Sequence, residues 1–157
     1  GVIRVMPSTP MLVGKGASAV TANRFVPAGR LEDFVADLKR VSVVEVTDES
    51  LLNPIISVNG SSPAYCYLFI KAMLDGAAAQ GISTEIAQPL ILQTVEGAVE
   101  MVRRSGKPID TLIREVSSPG GTTLAALASF EKSGFVQSVA EAMRACTVRA
   151  DEITAEL

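Results

Sequence analysis

The sequence contains no histidine and no tryptophan, and only two cysteines among its 157 residues. The absence of histidine excludes Ser-His-Asp catalytic triads, histidine-ligated metals and the general base that ordinarily titrates near neutral pH. Cys66 and Cys146 lie in apolar segments far apart in the chain. We therefore expect no disulfide framework and no metal site, and we expect a reduced, cytoplasmic location.

Basic runs and uninterrupted apolar runs are missing as well. The net charge is −3, so neither a nucleic acid nor an anionic membrane is expected as a partner. The longest apolar run, 64–81, is interrupted by Lys71 and Asp75 and predicts no membrane span. No signal peptide is visible. Because the chain opens on Gly1, inside the strand-like text VIRVM, we expect it to be a fragment of a longer protein.

Residues 1–47 alternate between strand-like and helical text. The pattern predicts strands at 2–6, 17–22 and 42–46 and an amphipathic helix at 29–41. Strand, helix and strand at this spacing are typical of the end of an α/β unit, although the segment is too short to be a complete one.

From residue 48 onward the text is helical alone. Thr47, followed by two acidic residues, is predicted to cap a helix that begins at 49. Further helices are predicted from Pro63 to about 81, from 84 to 104, from 110, from about 122, and from 135 to about 156. Pro89 predicts either a kink in the second of these or a later start. The change of pattern predicts two domains, 1–47 and 48–157.

The predicted helix 64–81 is apolar on nearly every face. Gly76 and the three alanines after it would let another helix approach closely. A helix without a polar face must be buried on all sides. We interpret it as the core of a homodimer, with the central helix of a single domain as the alternative.

Three short segments are candidate ligand sites. GKGASA (14–19) superficially matches a dinucleotide fingerprint, but strand-like text follows it, so a turn is predicted instead. VMPSTP (5–10) predicts Ser8 and Thr9 exposed at the edge of the sheet, either as a capped turn or beside a ligand. NGSSPAY (59–65) is a hinge with a helix cap that could equally contact a ligand.

The segment SSPGGTT (117–123) has the strongest pattern. Gly120 and Gly121 can aim successive amides into one concavity just before a helix, an arrangement that binds anions. Ser118 and Thr123 add hydroxyl groups. The segment is either a carboxylate cradle or a capped loop, and the pattern alone leaves both open.

Together these segments resemble a known family. Residues 108–131, PIDTLIREVSSPGGTTLAALASFE, resemble the signature of the pyrroline-5-carboxylate reductases. RVMPSTP resembles the family's RVMPNTP, NGSSPAY resembles its SGSGPAY, and EKSGF also fits. The order and spacing of all four agree, and the resemblance spans essentially the whole chain.

The resemblance implies reduction of 1-pyrroline-5-carboxylate to L-proline with NADPH or NADH, the last step of proline biosynthesis. It implies a mainly α chain: the last strands and helix of a Rossmann-type domain, then an all-helical dimerisation domain of the 6-phosphogluconate-dehydrogenase C-terminal type. The glycine-rich cofactor loop would be missing, so this chain alone is expected to be inactive. A homodimer is implied, with a ring of dimers as the larger assembly. Hydride transfer needs positioning rather than a histidine or a metal.

The resemblance also assigns site residues. It implies that Ser118 and the amides of Gly121 and Thr122 bind the substrate carboxylate, and that Thr123 hydrogen-bonds the ring nitrogen as the catalytic residue. The residues implied on the nicotinamide side are Met6, Pro7, Ser8, Thr9, Ser62, Pro63 and Ala64. Ser8 replaces the family's asparagine, and Asn59 and Ser62 replace a serine and a glycine. The alternatives are a non-catalytic helical pairing module and a related reductase acting on another imine or keto acid.

Overall fold

The structure, a computed structural model, describes residues 1–156 and is mainly α-helical with one small sheet. The strands are β1 (Ile3–Met6), β2 (Gly16–Ala22) and β3 (Ser42–Val46). The α-helices are α1 (Ala28–Leu38), α2 (Leu52–Ile55), α3 (Ser62–Ala79), α4 (Thr84–Arg104), α5 (Ile109–Glu115), α6 (Thr122–Lys132) and α7 (Phe135–Ala155). Two 3₁₀ helices, Thr9–Val13 and Glu49–Leu51, and a π-helical turn, Ile56–Gly60, complete the order.

The chain divides into two compact units. The first contains Gly1–Cys66 together with the segment from Val139 onward, and the second is Tyr67–Ser138. Within the first unit, the side-chain amide of Asn53 in α2 donates hydrogen bonds to Asp151 and Thr154 of α7. These compact units differ from the two predicted domains, because the end of α7 belongs with the sheet-containing unit. The domain boundary at 47/48 stays a prediction.

The sheet has the order β1-β2-β3, with β1 antiparallel and β3 parallel to the central β2. Its buried apolar side chains include Ala19 and Val20 of β2 and Val44 of β3. The three predicted strands are confirmed. The helix predicted to end at 41 ends at Leu38, and the N–H groups of Arg40 and Val41 bond to the carbonyls three residues before them (3.2 and 3.1 Å) as the chain turns into β3.

The segment after β3 differs from the predicted capped helix. Asp48, not Thr47, occupies the N-cap position, and its side chain makes no capping hydrogen bond within residues 1–156. The chain then passes from a 3₁₀ helix through α2 into the π-helical turn, so its hydrogen-bond spacing widens along the way. Leu52 at the start of α2 is fully buried and anchors this segment.

In the second unit, the later helix start that Pro89 allowed is excluded, and the kink stays a prediction. Helix α4 begins at Thr84, with Ser83 at the N-cap position, and continues through Pro89. Ala87 and Ile91 are its buried residues, and Gly106, with a φ of 67°, follows its end. A proline in the second turn removes one backbone hydrogen bond, and the helix tolerates that loss close to its N-terminus.

Helix α3 was expected to be buried on all sides, and within this chain it is not. None of its residues, all of which the structure describes, is buried. The exposed fractions of Tyr67, Leu68 and Phe69 are 61%, 68% and 40%. The single chain therefore leaves uncovered the helix that the sequence pattern predicts to be a core element.

Candidate functional site

The end of β1 and the turn after it carry four of the residues assigned to the cofactor side, Met6, Pro7, Ser8 and Thr9. Thr9 is exposed there, as predicted, but the prediction that Ser8 is exposed is wrong, because Ser8 is only 5% exposed. Its Oγ accepts a hydrogen bond from the backbone N–H of Ala17 (2.9 Å). Pro7 ends the backbone pairing of β1, so the serine hydroxyl replaces a strand carbonyl as the acceptor.

Asn59, in the π-helical turn, lies directly beside this turn. Its Nδ2 donates hydrogen bonds to the carbonyl oxygens of Met6 (2.8 Å) and Ala17 (2.9 Å), and the residue is only 8% exposed. A Cβ on Gly60 would lie 3.4 Å from Sδ of Met6, so the two segments are in close contact. Sequence reasoning assigned no role to Asn59, although its departure from the family motif was a signal.

The start of α3 carries the remaining cofactor-side residues. The hydroxyl of Ser62 donates a hydrogen bond to the carbonyl of Val58, one turn earlier, so it does not cap the helix. Ser62 and Pro63 are half-buried and Ala64 is exposed. The first unit therefore holds both predicted cofactor-side segments, 6–9 and 62–64, with Asn59 and Gly60 joining them.

A second polar cluster in this unit was not predicted. The Cys146 thiol of α7 donates a hydrogen bond to Oγ of Ser61 (3.3 Å). Burial raises the pKa of the neighbouring Tyr65 hydroxyl, and the nearby Cys146 thiol raises this pKa further. Cys146 and Ser61 lie 85 positions apart in the chain, so no local pattern could have paired them.

In the second unit, the segment SSPGGTT forms a tight turn followed by α6. The N–H of Gly121 donates to the carbonyl of Ser118 (2.9 Å), and Gly120 has a φ of 70°. Proline second and a positive-φ glycine third are the features of a type II turn. The Gly121 amide, assigned to the substrate carboxylate, thus already has an acceptor inside the turn, and its role in substrate binding stays a prediction. A Cβ on Gly121 would lie 2.5 Å from Oγ of Ser118, so a side chain at this position would displace that hydroxyl.

The first turn of α6 offers free amide groups instead. The helix begins at Thr122, as predicted, and the N–H of Ala125 makes the first bond back, to the carbonyl of Gly121 (3.4 Å). The amides of Thr122, Thr123 and Leu124 precede it and have no intrahelical acceptor. Ser118 and Thr122 are exposed and Thr123 is half-buried. Amide and hydroxyl donors at a helix N-terminus are suited to binding an anion such as a carboxylate.

Residues 1–156, which the structure describes, contain neither a metal-binding cluster nor a membrane-spanning helix. No group of three or more cysteine, aspartate and glutamate side chains there is arranged to hold a metal ion. Within the same residues, no helix combines the length and apolar character needed to cross a membrane.

Comparison with known proteins decides the family. The family model for pyrroline-5-carboxylate reductase dimerisation matches residues 49–153. The chain belongs to this family. Among its relatives, the pyrroline-5-carboxylate reductase of Synechocystis is 40% identical over 152 residues, covering 97% of this chain and 57% of that protein. The Escherichia coli pyrroline-5-carboxylate reductase is 37% identical over 153 residues, covering 98% and 57%.

Solved structures of pyrroline-5-carboxylate reductases share the fold. The NADP-bound pyrroline carboxylate reductase of Plasmodium falciparum superposes with a TM-score of 0.91 at 33% identity, over 94% of this chain and 60% of that one. These findings confirm the predicted membership of the family and the predicted fold class. The chain spans little more than half the length of these relatives. The site residues stay predictions.

Proposed function

We propose that the protein reduces 1-pyrroline-5-carboxylate to L-proline with NADPH or NADH, as the last step of proline biosynthesis. The observation that carries the proposal is the free N-terminus of α6 behind the turn 118–121, in a chain that belongs to the pyrroline-5-carboxylate reductase dimerisation family. The substrate is a small cyclic imine with one carboxylate, and this segment offers donors for both groups.

On the substrate side, the proposal divides the work between amides and hydroxyls. The amides of Thr122 and Thr123 and the Ser118 hydroxyl bind the carboxylate. Gly121 contributes through its missing side chain, since a Cβ there would displace the hydroxyl of Ser118. The Thr123 hydroxyl hydrogen-bonds the ring nitrogen of the imine. This contact matters most as the nitrogen changes from an iminium to an amine, so we assign Thr123 as the catalytic residue.

On the cofactor side, we assign Met6, Pro7, Thr9, Ser62, Pro63 and Ala64 to the nicotinamide, with Ser8 acting through the position of the turn. The residues fit this role: Pro7, Thr9 and Ala64 are exposed, small and uncharged, so a flat ring can lie against them. When bound, the reduced nicotinamide supplies the hydride. The contribution of this chain is to hold each ring in position, which needs no histidine.

We further propose that the protein is a homodimer formed through residues 48–157, with 1–47 as the end of a Rossmann domain. Support comes from α3, which is apolar apart from Ser62, Lys71 and Asp75 and has no buried residue among the described ones. Exposed apolar side chains continue on α6, at Leu124, Leu127 and Phe130. A second copy would cover these surfaces as obligate interfaces do. A ring of dimers in the cytoplasm is the proposed larger assembly.

The test is an assay of the protein in its full natural length. We expect it to oxidise NADPH or NADH when pyrroline-5-carboxylate is added and to form L-proline. Other cyclic imines and 2-keto acids form the comparison set. Faster turnover of one of these would assign a different reductase activity, and no turnover with any of them would support a non-catalytic pairing module instead.

A further inference from the structure

The hydrogen bonding of the sheet continues beyond the end of β1 through side chains. The register pairs Met6 with Ala19, so Ser8 is the next hydrogen-bonded position and stands opposite Ala17. Gly16 bonds toward the β3 side of β2, so the backbone groups of Ala17 point toward β1. The backbone carbonyl of Ser8 is turned instead to the 3₁₀ helix, where it accepts the N–H of Met11 (3.2 Å).

Two side chains complete the pair in its place. Ser8 Oγ accepts the N–H of Ala17, and Asn59 Nδ2 donates to the carbonyl of the same residue. The second hydrogen of Nδ2 goes to the carbonyl of Met6, the last residue of β1. Ala17 is thus bound on both backbone groups, and the chain at Pro7 is free to leave the sheet.

The orientation of the Asn59 amide follows from its partners. Two carbonyl acceptors require the NH₂ group, so Oδ1 must face the other way. This oxygen is buried and, among the described residues, has no hydrogen-bond partner. Leaving a buried acceptor unpaired is unfavourable. Both hydrogen bonds that Asn59 does make end at the turn after β1 and at its partner residue Ala17, which points to a role in placing the turn.

We propose that Asn59 is a positioning residue for the nicotinamide cofactor, acting with Ser8 through Ala17. Asn59 lies three residues before Ser62 and holds the carbonyl of Met6, so it sets the distance between the two cofactor-side segments, 6–9 and 62–64. This inference rests on the proposed function. Positions 8 and 59 are also two of the places where the chain departs from the family motif. The motif has asparagine at 8 and serine at 59, whereas this chain has serine at 8 and asparagine at 59.

The kinetic test uses Asn59→Leu in the full-length protein. The variant keeps similar volume and removes both hydrogen bonds, so we expect the KM for NADPH to rise about tenfold or more while kcat and the KM for the imine change less than about twofold. The matched control is Asn53→Leu, which also removes two bonds of a side-chain NH₂ group, those to Asp151 and Thr154. A rise in the KM for NADPH in both variants, or in neither, would overturn the proposal.

The exchange of the two residues tests their coupling. Ser8→Asn places a larger side chain in a buried site, and Asn59→Ser is too short to reach both carbonyls, so each single variant should lose cofactor affinity. The double variant Ser8→Asn/Asn59→Ser restores one amide and one hydroxyl between the same segments, and we expect it to bind NADPH better than either single variant. Losses that simply multiply would contradict a coupled pair.

A last measurement separates this inference from the proposed function. Amide hydrogen exchange should speed up about tenfold or more at Ala17 in Ser8→Ala, with little change at Thr21, which is held by the β1–β2 ladder.

If the wild type binds NADPH without reducing pyrroline-5-carboxylate, the proposed function fails, and dissociation constants for NADPH replace the KM values in the same comparisons. If the wild type reduces the imine but Asn59→Leu has unchanged cofactor affinity, only the inference fails. If NADPH does not bind at all, both fail.

Discussion

A Cβ atom on Gly121 would lie 2.5 Å from Oγ of Ser118 and 3.0 Å from the carbonyl oxygen of the same serine. The glycine is therefore needed for space, and what occupies that space is the hydroxyl assigned to the substrate carboxylate. The hydrogen bond from the Gly121 N–H to the Ser118 carbonyl holds the two residues together. Any side chain at 121 must move Ser118.

Gly121→Ala is therefore expected to act through Ser118. In the full-length protein we expect the KM for pyrroline-5-carboxylate to rise at least as much as in Ser118→Ala, about tenfold for one lost charge-assisted hydrogen bond. Gly121→Val should abolish measurable binding. In the double variant Ser118→Ala/Gly121→Ala, the crowded hydroxyl is absent, so the two effects should not multiply. Gly29→Ala is the control, since nothing lies within 4 Å of a Cβ there. If the increases in KM of the two single variants multiply in the double variant, residues 118 and 121 act independently.

Thr123→Val and Ser118→Ala are expected to change different kinetic constants. Thr123→Val keeps the shape of the side chain and removes a hydrogen bond that strengthens in the transition state, so kcat should fall about tenfold or more. Ser118→Ala should mainly raise the KM, because the carboxylate is held equally in the ground and transition states. Steady-state kinetics with circular dichroism spectra of both variants check this. Normal kinetics in both would identify the segment as a helix cap alone.

Ala78→Asp tests the proposed interface. Ala78 lies exposed near the end of α3, so a carboxylate there costs the single chain little but would be buried in a helix–helix contact. We expect the unmodified protein to sediment as a dimer or larger assembly and the variant to dissociate or unfold. Lys39→Glu, at the end of α1, is the charge-changing control. A folded wild-type monomer at micromolar concentration would rule out the proposed dimer.

Tyr65 is expected to make the free energy of unfolding of the first unit fall as the pH rises in the alkaline range. Because the folded state raises its pKa, the tyrosine stabilises the fold below its unfolded-state pKa of about 10, and this contribution is lost as the pH rises through the folded-state value. Tyr65→Phe should therefore show a weaker loss of unfolding free energy than the wild type in urea titrations from about pH 8 to 11. Tyr67→Phe is the matched control, since Tyr67 is 61% exposed. If the unfolding free energies of the wild type and Tyr65→Phe change identically with pH, the raised pKa of Tyr65 in the folded state is contradicted.

Local features of the sequence determined the type and order of most elements. Pro63 stands in the first turn of α3, and α6 begins at Thr122 behind its glycines. Short strand-like runs, VIRVM, ASAVTA and SVVEV, marked all three strands. These features depend on residues a few positions apart, through backbone propensity, capping and the limited angles of proline. The family motifs were readable for the same reason, because each is a short run of adjacent residues.

Tertiary structure decided which polar groups remain free to act. Ser8 follows a strand and stands between prolines, which predicts exposure, yet its hydroxyl is used by Ala17. Asn59 reaches Met6 from 53 positions away, and Cys146 reaches Ser61 from 85. A hydrogen bond across such a separation depends on how elements pack, and packing sums many weak contacts that no local pattern contains. The sequence by itself determined where the helices and strands lie, whereas folding determined which of their donors and acceptors are already paired.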